Sequence, residues 1–265
     1  MGSTLPSKLI TSNIGTALLA AALLMITTSS ALAETAEMTT AKAESEKSQS
    51  SDYTVSGNLE FNLEHNRGNT DSTDIDFVSY NEAKVARWTH QLRLEASNET
   101  ADGNRTEEEY KGAWKAKYDL QNRRYAFSNL EYEKDRIAGY EFEASETIGV
   151  GWYIIKEEKQ LLDVELGVGY RHDRYLDERA HDESVIGYAD LDYSLKLKNN
   201  AEFKQHFNVK SGEDKTVFLS ITSLISQLTD AWFLKISYEF EHTDEVPDGT
   251  KHADTTTKVG LLYKY

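Results

Sequence analysis

The seven histidines are the side chains of this sequence best suited to bind a metal ion or move a proton near neutral pH. His172 and His181 each precede an aspartate, and together they bracket one long polar segment. Imidazole and carboxylate groups are suitable ligands for a divalent ion such as Zn²⁺. No fixed i, i+4 spacing supports a site here, and solvated histidines at loop ends are the ordinary alternative.

Other reactive groups are few. The chain has no Cys, which excludes a thiol nucleophile, a disulfide framework and an iron–sulfur cluster. No serine sits in a nucleophile elbow, and no glycine-rich phosphate loop occurs. The formal net charge of −16 argues against a nucleic-acid surface. We therefore predict no catalytic, cofactor-binding or metal site, no cofactor and no nucleic-acid partner.

Charged and apolar residues alternate from Asp52 onward, as in the segment Tyr53–Glu64. A period of two is that of a β-strand, because successive side chains of a strand point to opposite faces. The pattern recurs about twelve times without an intervening helix, which predicts an antiparallel meander. The segments Ile75–Val85, Arg124–Glu133 and Val217–Leu228 alternate less cleanly.

Three features favour a closed membrane barrel. The mean hydropathy of −0.60 excludes a bundle of membrane helices, but strands of a membrane barrel are only half apolar. Longer polar connections, among them Glu99–Arg105 and His172–Asp182, alternate with short turns. The short turns are predicted near Ala86-Arg87, Asp119–Asn122, Ile155–Lys159, Lys198–Asn200 and Leu228–Asp230. Trp88, Trp152 and Trp232 lie beside short turns. We predict an all-β fold, an up-and-down antiparallel transmembrane β-barrel of about twelve strands. A water-soluble β-sandwich or lipocalin-like barrel is the alternative.

The N-terminus predicts export. Lys8, the apolar stretch 17–26 and the sequence Ala31-Leu32-Ala33 have the organisation of a cleavable signal peptide. We therefore divide the chain into a signal peptide (1–33), a disordered linker (34–52) and a barrel (53–265). The expected location is the outer membrane of a Gram-negative bacterium, after cleavage of the signal.

The last strand resembles the C-terminal insertion signal of outer-membrane barrels. The polar Lys258 is followed by Gly260, and the aromatic residues Tyr263 and Tyr265 complete the pattern. The usual terminal residue is Phe, so Tyr265 is a mild departure. The match implies that the barrel-assembly machinery is a partner during insertion.

The charged face of the strands should line the lumen. This assignment places both signs of charge inside, so opposite charges should pair and narrow the passage. We predict a narrow polar channel or a closed structural barrel, with His206 part of an ion-pair network. The predicted lumen residues are Arg93, Glu95, Lys111, Asp163, Glu165, Arg171, Asp190, Asp192, Lys204, His206, Lys235 and Glu239.

The chain resembles the salt-induced outer-membrane proteins, a family of barrels without an assigned activity. The segments that carry the resemblance are Arg67–Ser72, Trp88–Leu94, Gly103–Glu107, Tyr132–Arg136 with Gly139-Tyr140, and Gly167–Arg171. The resemblance spans about Ser56 to Tyr265. It implies an outer-membrane location and a link to salt or osmotic stress, and it supplies no catalytic residues.

The leading hypothesis is a monomeric barrel of the cell envelope, structural or conducting small polar solutes. Outer-membrane lipids and lipopolysaccharide are its expected partners. An outer-membrane enzyme, such as a hydrolase, with a site at the loop rim is one alternative, and a soluble periplasmic ligand-binding barrel is another. The polar connections are acidic, and at a lipopolysaccharide surface they could engage divalent cations, although solvation is the ordinary interpretation.

Overall fold

The computed structural model describes residues 53–67, 72–101, 104–134, 140–175, 181–198, 200–246 and 251–265. All twelve secondary-structure elements in these residues are β-strands. None of the described residues forms a helix long and apolar enough to cross a membrane. The predicted signal peptide and linker lie outside the described residues.

Twelve strands follow one another along the chain. They are β1 (Tyr53–Arg67), β2 (Ser72–Val85), β3 (Trp88–Ala101), β4 (Asn104–Asp119), β5 (Arg124–Lys134), β6 (Tyr140–Lys156), β7 (Gln160–Tyr175), β8 (His181–Lys196), β9 (Ala201–Ser211), β10 (Thr216–Gln227), β11 (Trp232–Thr243) and β12 (Ala253–Lys264). The bounds confirm the predicted all-β meander.

Each strand pairs antiparallel with its neighbours in sequence, and β1 pairs with β12 to close the barrel. The closing register runs from Asn58 opposite Lys264 to Arg67 opposite Thr255. Backbone hydrogen bonds of 3.1 Å join Gly57 and Tyr265 in both directions, so the last residue completes the seam. Closure pairs both edges of the sheet and leaves no open edge strand.

The period of two sorts the side chains onto two faces. In β1 the even-numbered Glu60 and Asn62 are buried, whereas the odd-numbered Phe61 and Leu63 are more than half exposed. The register continues this division from strand to strand, with Phe61 opposite Phe77 and Leu63 opposite Ile75. The exposed outer face is therefore apolar and the inner face is largely polar.

The connections at the predicted long-loop rim are shorter than the sequence indicates. Within the predicted loop Glu99–Arg105, β3 continues to Ala101 and β4 begins at Asn104. Within the predicted loop His172–Asp182, β7 continues to Tyr175 and β8 begins at His181. Backbone pairing between the strands continues beyond the segment in which apolar and polar residues alternate. The alternation stops earlier because the ends of the strands reach water and carry polar residues on both faces. The predicted loop boundaries were therefore wrong at these two positions.

Two of the strands with weak alternation carry apolar residues on the inner face. Tyr125 and Phe127 of β5 are at most 5% exposed and pack with Tyr188 of β8. In β10, Ile225 is 4% exposed on the inner face, while its neighbour Leu224 is exposed on the outer face. Tyr125, Phe127 and Tyr188 form a small apolar cluster inside the described barrel, and Ile225 is buried separately from it.

Candidate functional site in the barrel lumen

Ion pairs between strands that are not adjacent define the lumen. The central cluster consists of Lys115 and Lys117 on β4, Tyr125 on β5, and Asp163 and Glu165 on β7. Lys115 Nζ lies 2.7 Å from Glu165 Oε2, and Lys117 Nζ lies 3.2 Å from Asp163 Oδ2 and 2.9 Å from Glu165 Oε1. Because β4 and β7 are three strands apart, these pairs cross part of the lumen.

A buried tyrosine holds the two carboxylates of the central cluster together. The Tyr125 hydroxyl oxygen lies 2.7 Å from both Asp163 Oδ1 and Glu165 Oε1. It has one proton to donate, and Lys117 donates a hydrogen bond of 3.2 Å to its oxygen. A Cβ at Gly151 would lie 2.1 Å from this ring, so glycine on β6 provides the space for it.

The closure cluster surrounds the seam between β12 and β1. Lys258 Nζ lies 2.8 Å from Asp76 Oδ2 and 3.3 Å from Glu95 Oε1, and Arg93 also contacts Glu95, at 2.7 Å. Lys235 of β11 reaches Glu60 of β1 at 2.7 Å. The acidic groups here are almost fully buried, so their charges depend on these cations.

The rim cluster lies where the β9–β10 connection meets β6 and β7. Arg171 holds Asp214 through two hydrogen bonds, of 3.1 Å from Nε and 2.6 Å from Nη2, and Nη2 also donates to the Lys215 carbonyl at 2.7 Å. Lys215 pairs with Asp173 at 3.0 Å and with Glu143. The short hairpin is thereby fixed to the inner wall.

Asp214, in this connection, has a strongly altered acidity. Burial by itself raises the pKa of its carboxyl, but the hydrogen bonds and charge of Arg171 outweigh it and lower the pKa to about 2. Asp214 is therefore ionised at neutral pH.

The remaining predicted lumen residues also lie on the inner face. Lys111 pairs with Glu109 at 2.7 Å and Glu133 at 3.2 Å, Lys204 lies 3.7 Å from Glu202, and Glu239 lies opposite Ile221. His206, Asp190 and Asp192 lie together on β8 and β9. The alternation of β9 also places Lys210 on the inner face, and Lys210 reaches from β9 to Glu131 on β5, four strands away. Sequence reasoning missed Tyr125, which is buried on the inner face of β5.

The predicted insertion signal divides between the two faces of β12. Lys258 belongs to the closure cluster, and Gly260 lies opposite Asn62 on β1. Tyr263 packs on the ring of Trp232 at 5.0 Å, and the Tyr265 hydroxyl donates a 2.6 Å hydrogen bond to Asn81.

His172 and Asp173, which belong to the metal site considered from sequence, do not converge on one point in the structure. His172 and Asp173 are consecutive in β7, so their side chains point to opposite faces. Asp173 is fully buried in the rim cluster, whereas His172 lies outside and contacts Glu183 at 3.1 Å. The side chain of His181 lies outside the described residues.

Comparison with known proteins gives a family and a fold. The family model for a protein of unknown function, DUF481, matches residues 59–265. The uncharacterized protein YdiY of Escherichia coli (strain K12) is 28% identical over 210 residues, covering 78% of this chain and 82% of that protein. These findings fit the resemblance inferred from the sequence to outer-membrane barrels without an assigned activity.

Among solved structures, the NanC porin matches with a TM-score of 0.55 and 9% identity, covering 78% of this chain and all of NanC. The KdgM porin matches with a TM-score of 0.45 and 11% identity, covering 78% of this chain and 99% of KdgM. At this identity the NanC match establishes the barrel fold alone.

Proposed function

This chain belongs to the DUF481 family of proteins of unknown function, and from that premise we propose that it is an outer-membrane barrel with a narrow polar channel for small solutes. The observation that carries the proposal is the combination of an apolar outer face with charged residues that pair across the lumen. A water-soluble protein of this kind would leave its apolar face uncovered.

The outer face supports a membrane environment. Its most exposed large apolar residues include Val55, Phe61, Leu63, Ile75, Ile148, Leu166, Val168, Val185 and Ile236. Near the short turns, the ring of His90 stacks between those of Trp88 and Trp114 at 5.9 and 5.8 Å. Amphipathic aromatic rings are typical of the membrane–water interface.

Polar side chains on the outer face of β9 and β10 form hydrogen bonds with one another. Thr222 donates a 2.6 Å hydrogen bond to Gln205, which in turn donates to Ser220 at 3.2 Å. In lipid an unsatisfied polar group costs several kcal/mol, so this internal network makes the polar patch compatible with a bilayer.

The lumen favours small solutes over large ones. The pairs Lys115–Glu165 and Lys210–Glu131 join strands that are three and four positions apart in the barrel, and the rings of Tyr125 and Tyr188 occupy further space inside it. Both signs of charge are interspersed, so we propose passage of small polar or ionic solutes. The charged groups that meet in the lumen form ion pairs with one another, and we propose a non-enzymatic role.

Two measurements test this function. We expect the unboiled protein to migrate differently from the boiled protein on gels, and extraction of the protein without detergent would contradict the membrane barrel. In planar bilayers we expect small, discrete conductance steps. If the inserted and heat-modifiable barrel gives no conductance, the channel is ruled out and a structural role remains.

We further propose a role in salt or osmotic stress, and the family resemblance is the support for it. The expected phenotype of a strain lacking the protein is slower growth in high-salt medium, restored by a plasmid copy. Equal growth of both strains across the salt range would contradict the role while leaving the channel proposal intact.

A further inference from the structure

A histidine and two aspartates meet on the inner face of β8 and β9, beside the central cluster. Asp192 and His206 are direct partners in the register, and Asp190 lies two residues along β8 on the same face. His206 Nδ1 lies 2.8 Å from Asp192 Oδ1, and Nε2 lies 3.6 Å from Asp190 Oδ2. One ligand atom from each residue lies within 4.8 Å of the other two.

The neighbouring strand adds two carboxylates to this part of the lumen wall. On β7, Asp163 lies opposite Asp192 and Glu165 lies opposite Asp190. Like charges directly across a sheet destabilise it. Lys115 and Lys117 pair with the two acids of β7, while Asp190 accepts a 2.8 Å hydrogen bond from the neutral amide of Asn208.

We propose that Asp190, Asp192 and His206 bind a divalent transition-metal ion, with Zn²⁺ as the representative. One imidazole nitrogen and two carboxylate oxygens form a ligand set that Zn²⁺ accepts at roughly 2.0–2.2 Å, with water in the fourth position. Mg²⁺ and Ca²⁺ prefer oxygen ligands alone, so they should bind this trio less well.

The site combines a fixed ligand with two accessible ones. The side chain of Asp190 is 4% exposed, whereas those of His206 and Asp192 are 30% and 54% exposed. An ion can therefore arrive from lumen water and be bound after small rotations of the two accessible side chains. The bound ion would balance the two negative charges of Asp190 and Asp192 on β8.

The test is metal binding by the full-length mature barrel, folded in detergent and freed of metal with a chelator. Calorimetric titration with ZnCl₂ should show one ion per chain. Titration with CoCl₂ should give the visible absorption bands of a low-coordinate site with a nitrogen ligand. Failure to bind Zn²⁺ at one equivalent would overturn the proposal.

Variants assign the ligands. His206→Ala and Asp192→Asn should each weaken Zn²⁺ binding by about tenfold or more, since each removes a direct ligand. His172→Ala is the matched control, because this histidine lies on the outer face, and it should bind as the wild type does. Equal affinity in His206→Ala and the wild type would overturn the site.

Metal binding is measured independently of conductance, so the absence of a channel would not affect this test. The heat-dependent gel shift verifies that each variant is folded.

Discussion

At the scale of single residues, the closure of the barrel depends on a glycine in the last strand. A Cβ at Gly260 would lie 1.8 Å from Oδ1 of the buried Asn62 and 3.2 Å from the Phe61 carbonyl oxygen. Glycine is therefore required here by packing across the β1–β12 seam. This requirement is separate from any recognition of the terminal sequence during insertion.

We predict that Gly260→Ala sharply reduces the folded fraction, because the new methyl group forces the seam apart. Gly112→Ala is the matched control, since its Cβ would meet only Leu94, at an ordinary 3.8 Å. The heat-dependent gel shift measures the folded fraction. Adding Asn62→Ala to Gly260→Ala should restore folding, and a double variant that stays unfolded would indicate that the assembly machinery reads the glycine itself.

The hydroxyl of Tyr125 provides a second residue-scale prediction. Hydrogen bonds to charged groups contribute roughly 1.5–3 kcal/mol, so Tyr125→Phe should lower the free energy of unfolding by about 2 kcal/mol. Equilibrium unfolding in urea, followed by tryptophan fluorescence, measures the change. Tyr193→Phe, on the outer face against Phe203, should change it by less than about 0.5 kcal/mol. Equal losses in both variants would argue against the central cluster.

At this scale the sequence predicts which residues face the lumen, but not which of them form ion pairs with one another. Period two places Asp163, Glu165 and Lys117 on the inner face, because alternation is a local property. Which of them meet depends on the register and curvature of strands three or four apart, as with Lys210 and Glu131. Tyr125 was missed because an aromatic residue on the inner face reads as a break in the pattern.

At the scale of elements, the β9–β10 hairpin is attached to the wall by Arg171 and Asp214. The pKa of Asp214 is lowered from its ordinary 3.8 to about 2. A carboxyl with a lowered folded pKa stabilises the fold at pH values above its unfolded pKa, and loses that contribution as the pH falls through the folded pKa. The attachment should therefore hold at neutral pH and be lost near pH 2.

We predict that Asp214→Asn lowers the Tm at pH 7, because it replaces a bidentate ion pair with a weaker neutral contact. The difference in Tm from the wild type should shrink as the pH falls below about 4 and vanish near pH 2. Glu245→Gln, in the exposed β11–β12 connection, is the control. A Tm difference that is constant with pH would contradict the role of the ionised carboxylate.

The ends of the strands were predicted well at one rim of the barrel and poorly at the other. The short turns were well placed, because apolar strands of the predicted membrane region end abruptly there. At the other rim β7 continues to Tyr175 and β8 begins at His181. Pairing between them persists beyond the alternating segment, so His172 and Asp173 belong to a strand rather than a loop. β10 gave a weak signal because Leu224 and Ile225 make both its faces apolar.

At the scale of the whole molecule, the width of the lumen should depend on ionic strength, because ion pairs cross it. Lys210 and Glu131 are 19% and 32% exposed, so lumen water and ions reach them. The Debye length falls from about 10 Å at 0.1 M salt to about 3 Å at 1 M, which weakens accessible ion pairs. Higher salt should therefore loosen this bridge between β9 and β5 and widen the passage.

We predict that single-channel conductance, divided by the bulk conductivity of the solution, rises between 0.1 and 1 M KCl in the wild type. The double variant Lys210→Ala/Glu131→Ala removes both charges together, which avoids leaving one unpaired and buried. Its conductance should be higher than that of the wild type at low salt and proportional to conductivity throughout. The control Lys84→Ala/Glu82→Ala removes a pair within one strand, 2.8 Å apart, and should keep the wild-type dependence. Strict proportionality in the wild type would mean that the bridge does not set the width of the lumen.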